Sequence, residues 1–286
     1  MDGFDDPWEH IRLLSDRPRN DRLLELLRRR APGHSVLEVG CGTGVLSCVA
    51  ARMGATRVHA VEPSAQAEVA RALIAANGLQ DQVVLHKAMI EDLEPESVDL
   101  AFSELLNAAP FAEGILSASR AASAWVPNGH LAPSRLEVHV ALIREGESAR
   151  EHRDALKELQ RLGADFDLDF GPVAQGLAAP GPYTYVSPRV ELASAAALLW
   201  AADLKQFDDP QDIEISVEVA DPGPVGGVAM WFRAVLDEGL EIDNAPGAGG
   251  HWGTLIQAWP ELVGARSGPF RLKATATETG FEVEPG

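Results

Sequence analysis

Cysteine is nearly absent from the 286 residues: Cys41 and Cys48 are the only two. That excludes a disulfide framework and any site built on clustered thiolates. The eight histidines show no metal-ligand spacing, so no metal centre is expected. No apolar run approaches the ~20 residues that a bilayer-crossing helix needs. No apolar leader precedes the first charged residues, and a cytoplasmic protein is expected. Positive charge is also scarce, with 24 Lys and Arg against 43 Asp and Glu and a formal net charge of −19. A surface of that sign repels nucleic acid and anionic membranes and attracts cations. Neither nucleic acid nor a membrane is therefore an expected partner. The apolar content of 46% is that of a globular chain with a core of ordinary size.

The stretch at 36–44 reads VLEVGCGTG and organises the rest. An apolar run passes into three glycines at alternating spacing, and residues 45–53 then take up helical apolar spacing. A strand that stops at Gly40 and turns through Gly42 and Gly44 brings bare backbone close to a ligand, because no Cβ keeps the ligand away. Glu38 lies inside that strand. Glu62 closes the next apolar run, VHAVE, where a carboxylate at a strand tip can accept from both hydroxyls of a ribose.

Taken in order, residues 1–34 read as N-terminal helices, with Leu23, Leu24, Leu26 and Leu27 on one face and Ser15 or Asp16 as a cap beside Pro18. Residues 35–133 alternate strand and helix, with strands expected near 35–40, 57–62, 82–87, 97–103 and 128–132, as a doubly wound Rossmann-like sheet demands. From 134 to 286 the alternation gives way to β-type runs separated by turns, which implies a second, antiparallel, β-barrel-like domain. Residues 149–162 are a charged helical segment. Residues 171–182, rich in glycine, proline and alanine, read as loop.

The fourth strand delivers Glu104 to the carboxyl edge of the sheet, where open α/β folds bind ligands. Glu113 follows nine residues later, at the expected start of the next helix, with only Asn107, Pro110 and apolar residues between. Two carboxylates folded onto one pocket repel, and one takes up a proton unless a cation bridges them. A guanidinium, planar and permanently charged with five donors, fits that task. One solvated loop acid and one acid favoured by a helix dipole would explain the same residues. The physics alone leaves both readings open.

Together these residues resemble the protein arginine methyltransferase family, class I enzymes that use S-adenosylmethionine. The two acids match its double-glutamate hairpin, and Glu38, Gly40, Gly42 and Gly44 match its first motif. The resemblance covers nearly the whole chain. It implies that His10, Arg19, Glu38, Gly40, Gly42, Glu62 and Glu91 hold S-adenosylmethionine. It further implies that Glu104 and Glu113 grip a guanidinium, that Asp16 and His251 form a catalytic pair, and that Trp252 walls the substrate site. The expected architecture is then N-terminal cofactor-covering helices, the Rossmann-like domain and the barrel, with a homodimerisation arm near 149–175. Several positions depart from the family: Phe4 and Trp8 replace a tyrosine-rich motif, Gly250 replaces a threonine before His251, and Leu13 and Ile115 replace methionines. The resemblance implies N-methylation of a guanidino group, on free L-arginine or a small guanidine as in bacterial natural-product pathways, or alternatively on arginine within a protein or peptide. A non-catalytic cofactor-binding scaffold is the reading from another class.

Overall fold

The structure is a computed structural model and describes residues 7–144, 147–177, 183–187 and 190–286. Two N-terminal helices, α1 (Pro7–Ser15) and α2 (Arg17–Arg30), lead into an alternation of β1 (Ser35–Val39), α3 (Val45–Arg52), β2 (Arg57–Val61), α4 (Gln66–Ala76), β3 (Val83–His86), β4 (Leu100–Ser103), α5 (Ile115–Ser123) and β5 (His130–Ala132). The five strands form one parallel sheet in the order β3-β2-β1-β4-β5. Their near-continuous apolar sequences suit strands covered on both faces. The strand order reverses direction between β1 and β4, and such a switch point opens a crevice at the carboxyl edge. Val39 pairs with Ser103 there, so Gly40 and Glu104 emerge side by side.

The rest of the chain is β6 (Arg135–Ile143), α6 (Glu147–Phe166), α7 (Gly171–Gly176), β7 (Tyr183–Ser187), β8 (Ala197–Asp203), β9 (Ile213–Val219), β10 (Gly223–Asp237), β11 (Leu240–Asp243), β12 (Thr254–Ala265), β13 (Gly268–Ala276) and β14 (Phe281–Pro285). β10, the longest strand, pairs antiparallel with β6, β11 and β12. β9, β13 and β14 form a separate three-stranded antiparallel sheet. A parallel sheet followed by antiparallel sheets in barrel-like arrangement is the architecture the sequence implies. No helix among the described residues is long and apolar enough to cross a membrane.

α2 joins the two regions. Its leucines 23, 26 and 27 are buried, each burial worth ~1.5–3 kcal/mol. Arg30 donates from Nε and Nη2 to Asp237 at the end of β10, and this pairing holds the Asp237 carboxyl down at about 2. The cap of α2 is Asp16, which accepts from Arg19 N at 3.1 Å.

Three expectations change. The fourth strand is shorter than 97–103, because Val98 N donates to Trp125 O and Asp99 N to Ser35 O, outside the β1–β4 register. Glu113 does not start a helix: Gly114, at φ +76°, caps α5, which begins at Ile115. Residues 171–176, expected as loop, are helical, with proline in the first turn where its missing N–H costs nothing.

Candidate active site

A cleft of about 440 Å³ lies at the carboxyl edge of the parallel sheet. It is lined by the glycine turn, by Glu38 and Glu62, by both hairpin acids, by Arg19 from α2 and by His251 from the loop between β11 and β12. Its volume falls within the ~300–1,000 Å³ typical of small-molecule sites. The cleft therefore gathers residues from both ends of the chain.

One half of it is backbone. Gly40, Gly42 and Gly44 all take positive φ, which side-chain-bearing residues rarely adopt. A Cβ on Gly40 would stand 2.6 Å from Leu105 Cδ2. Gly40 N and Cys41 N both donate to Val61 O, which ties the turn to the end of β2. Glu62, the residue after β2, accepts from Gly42 N at 2.8 Å through Oε2 and from Ser64 N at 2.9 Å through Oε1. Its carboxylate is thus fixed at the strand tip with lone pairs to spare. Glu38 is buried deeper and accepts a hydrogen bond from Ser47 Oγ. Burial pushes its carboxyl up to about 8. A glycine turn held at positive φ, with a fixed strand-tip acid beside it, fits the adenosyl-methionine skeleton implied by the sequence motif.

The other half is side chain. Glu104 leaves β4 and is paired with Arg19, whose Nε donates to Oε2 at 2.7 Å and whose Nη2 donates to the same oxygen. Both side chains are only 8% exposed. Burial raises the Glu104 carboxyl, opposed by the Arg19 charge. Arg19 Nη1 donates to Asn20 Oδ1 at 2.8 Å. Glu113 comes back to the same cleft and accepts from Asn107 Nδ2 at 2.8 Å. Its carboxyl is raised to about 7 overall, chiefly by burial and further by the charge of Glu104, with the Asn107 hydrogen bond pulling the other way.

The hairpin between the acids is pinned by the barrel. Trp252 Nε1 donates to Leu106 O at 2.7 Å, and Phe111 N donates to Thr279 O at 3.1 Å. The Phe111 ring packs edge-on against Trp200 and Phe281. Trp252 itself is 7% exposed and packs on Phe232 and His251. It stands behind the cleft, against the hairpin backbone, and is not among the cleft-lining residues.

Asp16 joins sequence positions 235 residues apart. Beyond capping α2, it accepts from His251 N at 2.8 Å and from His251 Nδ1 at 2.7 Å. Burial works against its ionisation, but the hydrogen bonds from His251 and from Arg19 N outweigh that and hold it below its usual range. An ionised carboxylate only accepts, so Nδ1 carries the proton and Nε2 of the neutral ring keeps its lone pair. Burial also lowers the His251 value, despite the Asp16 contact. Gly250, at φ +90°, allows this approach: a Cβ there would lie 3.2 Å from Asp16 Oδ2.

Of the residues singled out from sequence, Arg19, Glu38, Gly40, Gly42, Glu62, Glu104, Glu113 and His251 line one cleft, with Asp16 directly behind His251. Glu91 is exposed on a single 3-10 turn, Ile90–Asp92, outside the lining. His10 belongs to α1, but its side chain, like that of Trp8 and the whole of Phe4, lies outside the described residues. Leu13 lines the cleft mouth, whereas Ile115 is fully buried in the core. Ser47 and Asn107, which hold Glu38 and Glu113, carry no sequence signal beyond their places near the motif and between the acids. Among the described residues no cluster could hold a metal ion.

A family profile described as "Methyltransferase domain" matches residues 36–129. The chain is 29% identical over 272 residues to an arginine N(omega)-methyltransferase from Streptomyces achromogenes subsp. streptozoticus, covering 90% of this chain and 71% of that one. It is 37% identical over 244 residues to probable protein arginine N-methyltransferase 6.1 of Oryza sativa subsp. japonica, of which it spans 59% of the length. Among solved structures, a Trypanosoma brucei PRMT1 enzyme–prozyme heterotetrameric complex with AdoHcy superposes with a TM-score of 0.78 at 22% identity, covering 100% of this chain and 95% of that one. At that identity the superposition speaks to fold.

Proposed function

The chain is a relative of the arginine methyltransferases, and from that premise we infer that it transfers a methyl group from S-adenosylmethionine to the guanidino group of free L-arginine or a similarly small guanidine. The observation that carries this reading is the convergence of Glu104 and Glu113 on one cleft with the glycine turn. Carboxyl groups facing apart would have left only a cofactor-binding fold. The bound cofactor supplies an already activated, sulfonium-borne methyl. The work left to the protein is placement and electrostatics.

In this scheme the glycine turn and Glu62 hold the nucleoside end, and Arg19 serves the carboxylate of the methionine portion. Glu104 and Glu113 grip the guanidinium and draw its positive charge toward the nitrogens that are not methylated, which leaves more lone-pair character on the remaining terminal nitrogen. A free guanidinium has a pKa of about 12.5–13.8, so its proton leaves with or after transfer rather than before. His251, with Asp16 fixing its tautomer, presents Nε2 as the acceptor for that proton. Trp252 holds the hairpin at Leu106 and so keeps the two acids in register with each other. The same reading carries a homodimer, supported by the apolar residues Phe166, Leu168 and Val173 exposed on and between α6 and α7.

Preference for a small guanidine rests on the Streptomyces relative, named for arginine, which this chain matches over 90% of its own length. Arginine within a peptide is the second reading, favoured by the rice relative's name and by the net charge of −19, which attracts cationic chains. Incubation with labelled S-adenosylmethionine and either free arginine or a glycine–arginine-rich peptide separates them. Label in free arginine is expected; label only in the peptide overturns the preference. Tight cofactor binding with label in neither would mark a non-catalytic scaffold.

A further inference from the structure

Asn107 stands on the hairpin three residues after Glu104 and six before Glu113. Its Nδ2 donates to Glu113 Oε1 at 2.8 Å, while its Oδ1 accepts from Ala109 N at 3.3 Å. The second bond decides which way round the amide lies, because only the carbonyl oxygen can receive a backbone N–H. The NH2 group must then face Glu113. Asn107 is not among the residues that line the cleft, so its influence on a bound molecule passes through the acid.

We infer that Asn107 is a positioning residue for methyl transfer: its amide fixes one oxygen of Glu113 and thereby turns the other toward the guanidinium. This rests on the reading of Glu113 as one arm of the clamp. A hydrogen bond to an ionised oxygen is about twice as strong as one between neutral groups, so the same contact also favours the charged carboxylate that a cation requires. The groups that set that charge come from several elements. Glu113 stands at about 7 overall: burial lifts it most, the Asn107 hydrogen bond lowers it, the charge of Glu104 at the end of β4 adds to the rise, and Arg19 of α2 opposes it. His251, backed by Asp16, lines the same cleft from the barrel side, and Glu38 and Glu62 line it from the sheet. Near neutral pH the unliganded Glu113 is thus balanced between its two forms, and the Asn107 donor bears directly on that balance. Removing the donor moves the midpoint upward, and with it the acid limb of kcat/KM, since the ionised form takes the guanidinium.

A merely structural asparagine is separated from a positioning one by two substitutions. Asn107→Asp keeps the shape and the acceptor for Ala109 N but replaces the donor with a third carboxylate. Asn107→Ala removes both bonds. For guanidine methylation followed against pH, the acid limb is expected to rise by about one unit in Asn107→Ala and by more in Asn107→Asp. Below the limb kcat/KM should drop about tenfold, with the gap closing at alkaline pH. The Glu113 carboxyl carbon, followed by NMR in the unliganded protein, should titrate at higher pH in Asn107→Asp than in the wild type. An unmoved limb in both variants while the wild type methylates a guanidine, or an unchanged Glu113 midpoint in Asn107→Asp, overturns the inference. Absence of guanidine methylation in the wild type overturns instead the reading of the clamp; the NMR comparison, which needs no turnover, still tests the Asn107–Glu113 coupling.

Discussion

Where the cleft is floored by Gly40 and Gly42, the wall is backbone, and its partners are neighbours in the first 30 residues of the sheet. Where it is roofed by Glu104, Glu113 and His251, the wall is side chain, and its partners come from α2, the β4–α5 hairpin and a barrel loop 235 residues from the helix cap it touches. The backbone half is set once β1, β2 and the turn form, because Val61 O takes both turn amides. The side-chain half pairs Arg19 with Glu104 and Asn107 with Glu113, and is completed only when the barrel docks: Trp252 holds Leu106, Thr279 holds Phe111, and Asp16 holds His251. A fold that serves many methyl-transfer reactions can keep the first half unchanged and acquire a substrate through the second.

Substitutions in the two halves should therefore fail in different ways. The largest effect is expected from Glu104→Gln, which leaves the cofactor floor untouched but removes one arm of the clamp. It should lower kcat for guanidine methylation by ~10²–10³, with a smaller loss of cofactor affinity by titration calorimetry, because Arg19 loses its charged partner. Asp16→Asn comes next. Asparagine keeps the cap through its one oxygen but turns its NH2 toward His251 N and Nδ1. The tautomer is then no longer fixed and kcat should fall by ~10²-fold, with a melting-temperature loss no larger than one or two lost hydrogen bonds give. A loss of stability matching the loss of rate would mean that Asp16 is only a cap.

Gly40→Ala tests the backbone half. A positive φ and a Cβ 2.6 Å from Leu105 Cδ2 should weaken S-adenosylmethionine binding about tenfold, with kcat at saturating cofactor largely kept. An equal loss of kcat would blur the distinction between the halves. The last effect is read in stability rather than in rate and concerns Glu38, raised by burial from 4.5 to about 8. The folded protein holds a proton there that the unfolded chain releases. That contribution is complete below the ordinary value and is lost as pH rises through about 8. Glu38→Gln removes the titration, so thermal melts without cofactor should show the variant gaining on the wild type by up to about 1.4 kcal/mol per pH unit across that window. Parallel curves for the two proteins would contradict the buried, protonated state.

The same division decides what could be read from sequence. The glycine turn, Glu38 and Glu62 are local: their spacing alone dictates strand, turn and strand tip. The paired acids are local too, but their convergence is not, since the spacing of Glu104 and Glu113 allowed a solvated loop acid as readily as a clamp. Asp16 and His251 entered through the family resemblance, because no spacing rule links positions so far apart. That Trp252 bonds to Leu106 O and is not among the cleft-lining residues was not legible either, because it depends on how the barrel loop meets the hairpin backbone. Residues 171–176 hid a helix because glycine and proline mark both loops and helix starts, and only the backbone distinguishes them.

The most direct test is a crystal structure with S-adenosylhomocysteine and L-arginine bound together. The account predicts the guanidinium between the carboxylates of Glu104 and Glu113, with one terminal nitrogen facing the cofactor sulfur and the Asn107–Glu113 bond intact. Arginine bound elsewhere, with the two carboxylates contacting no cation from the substrate, would contradict it.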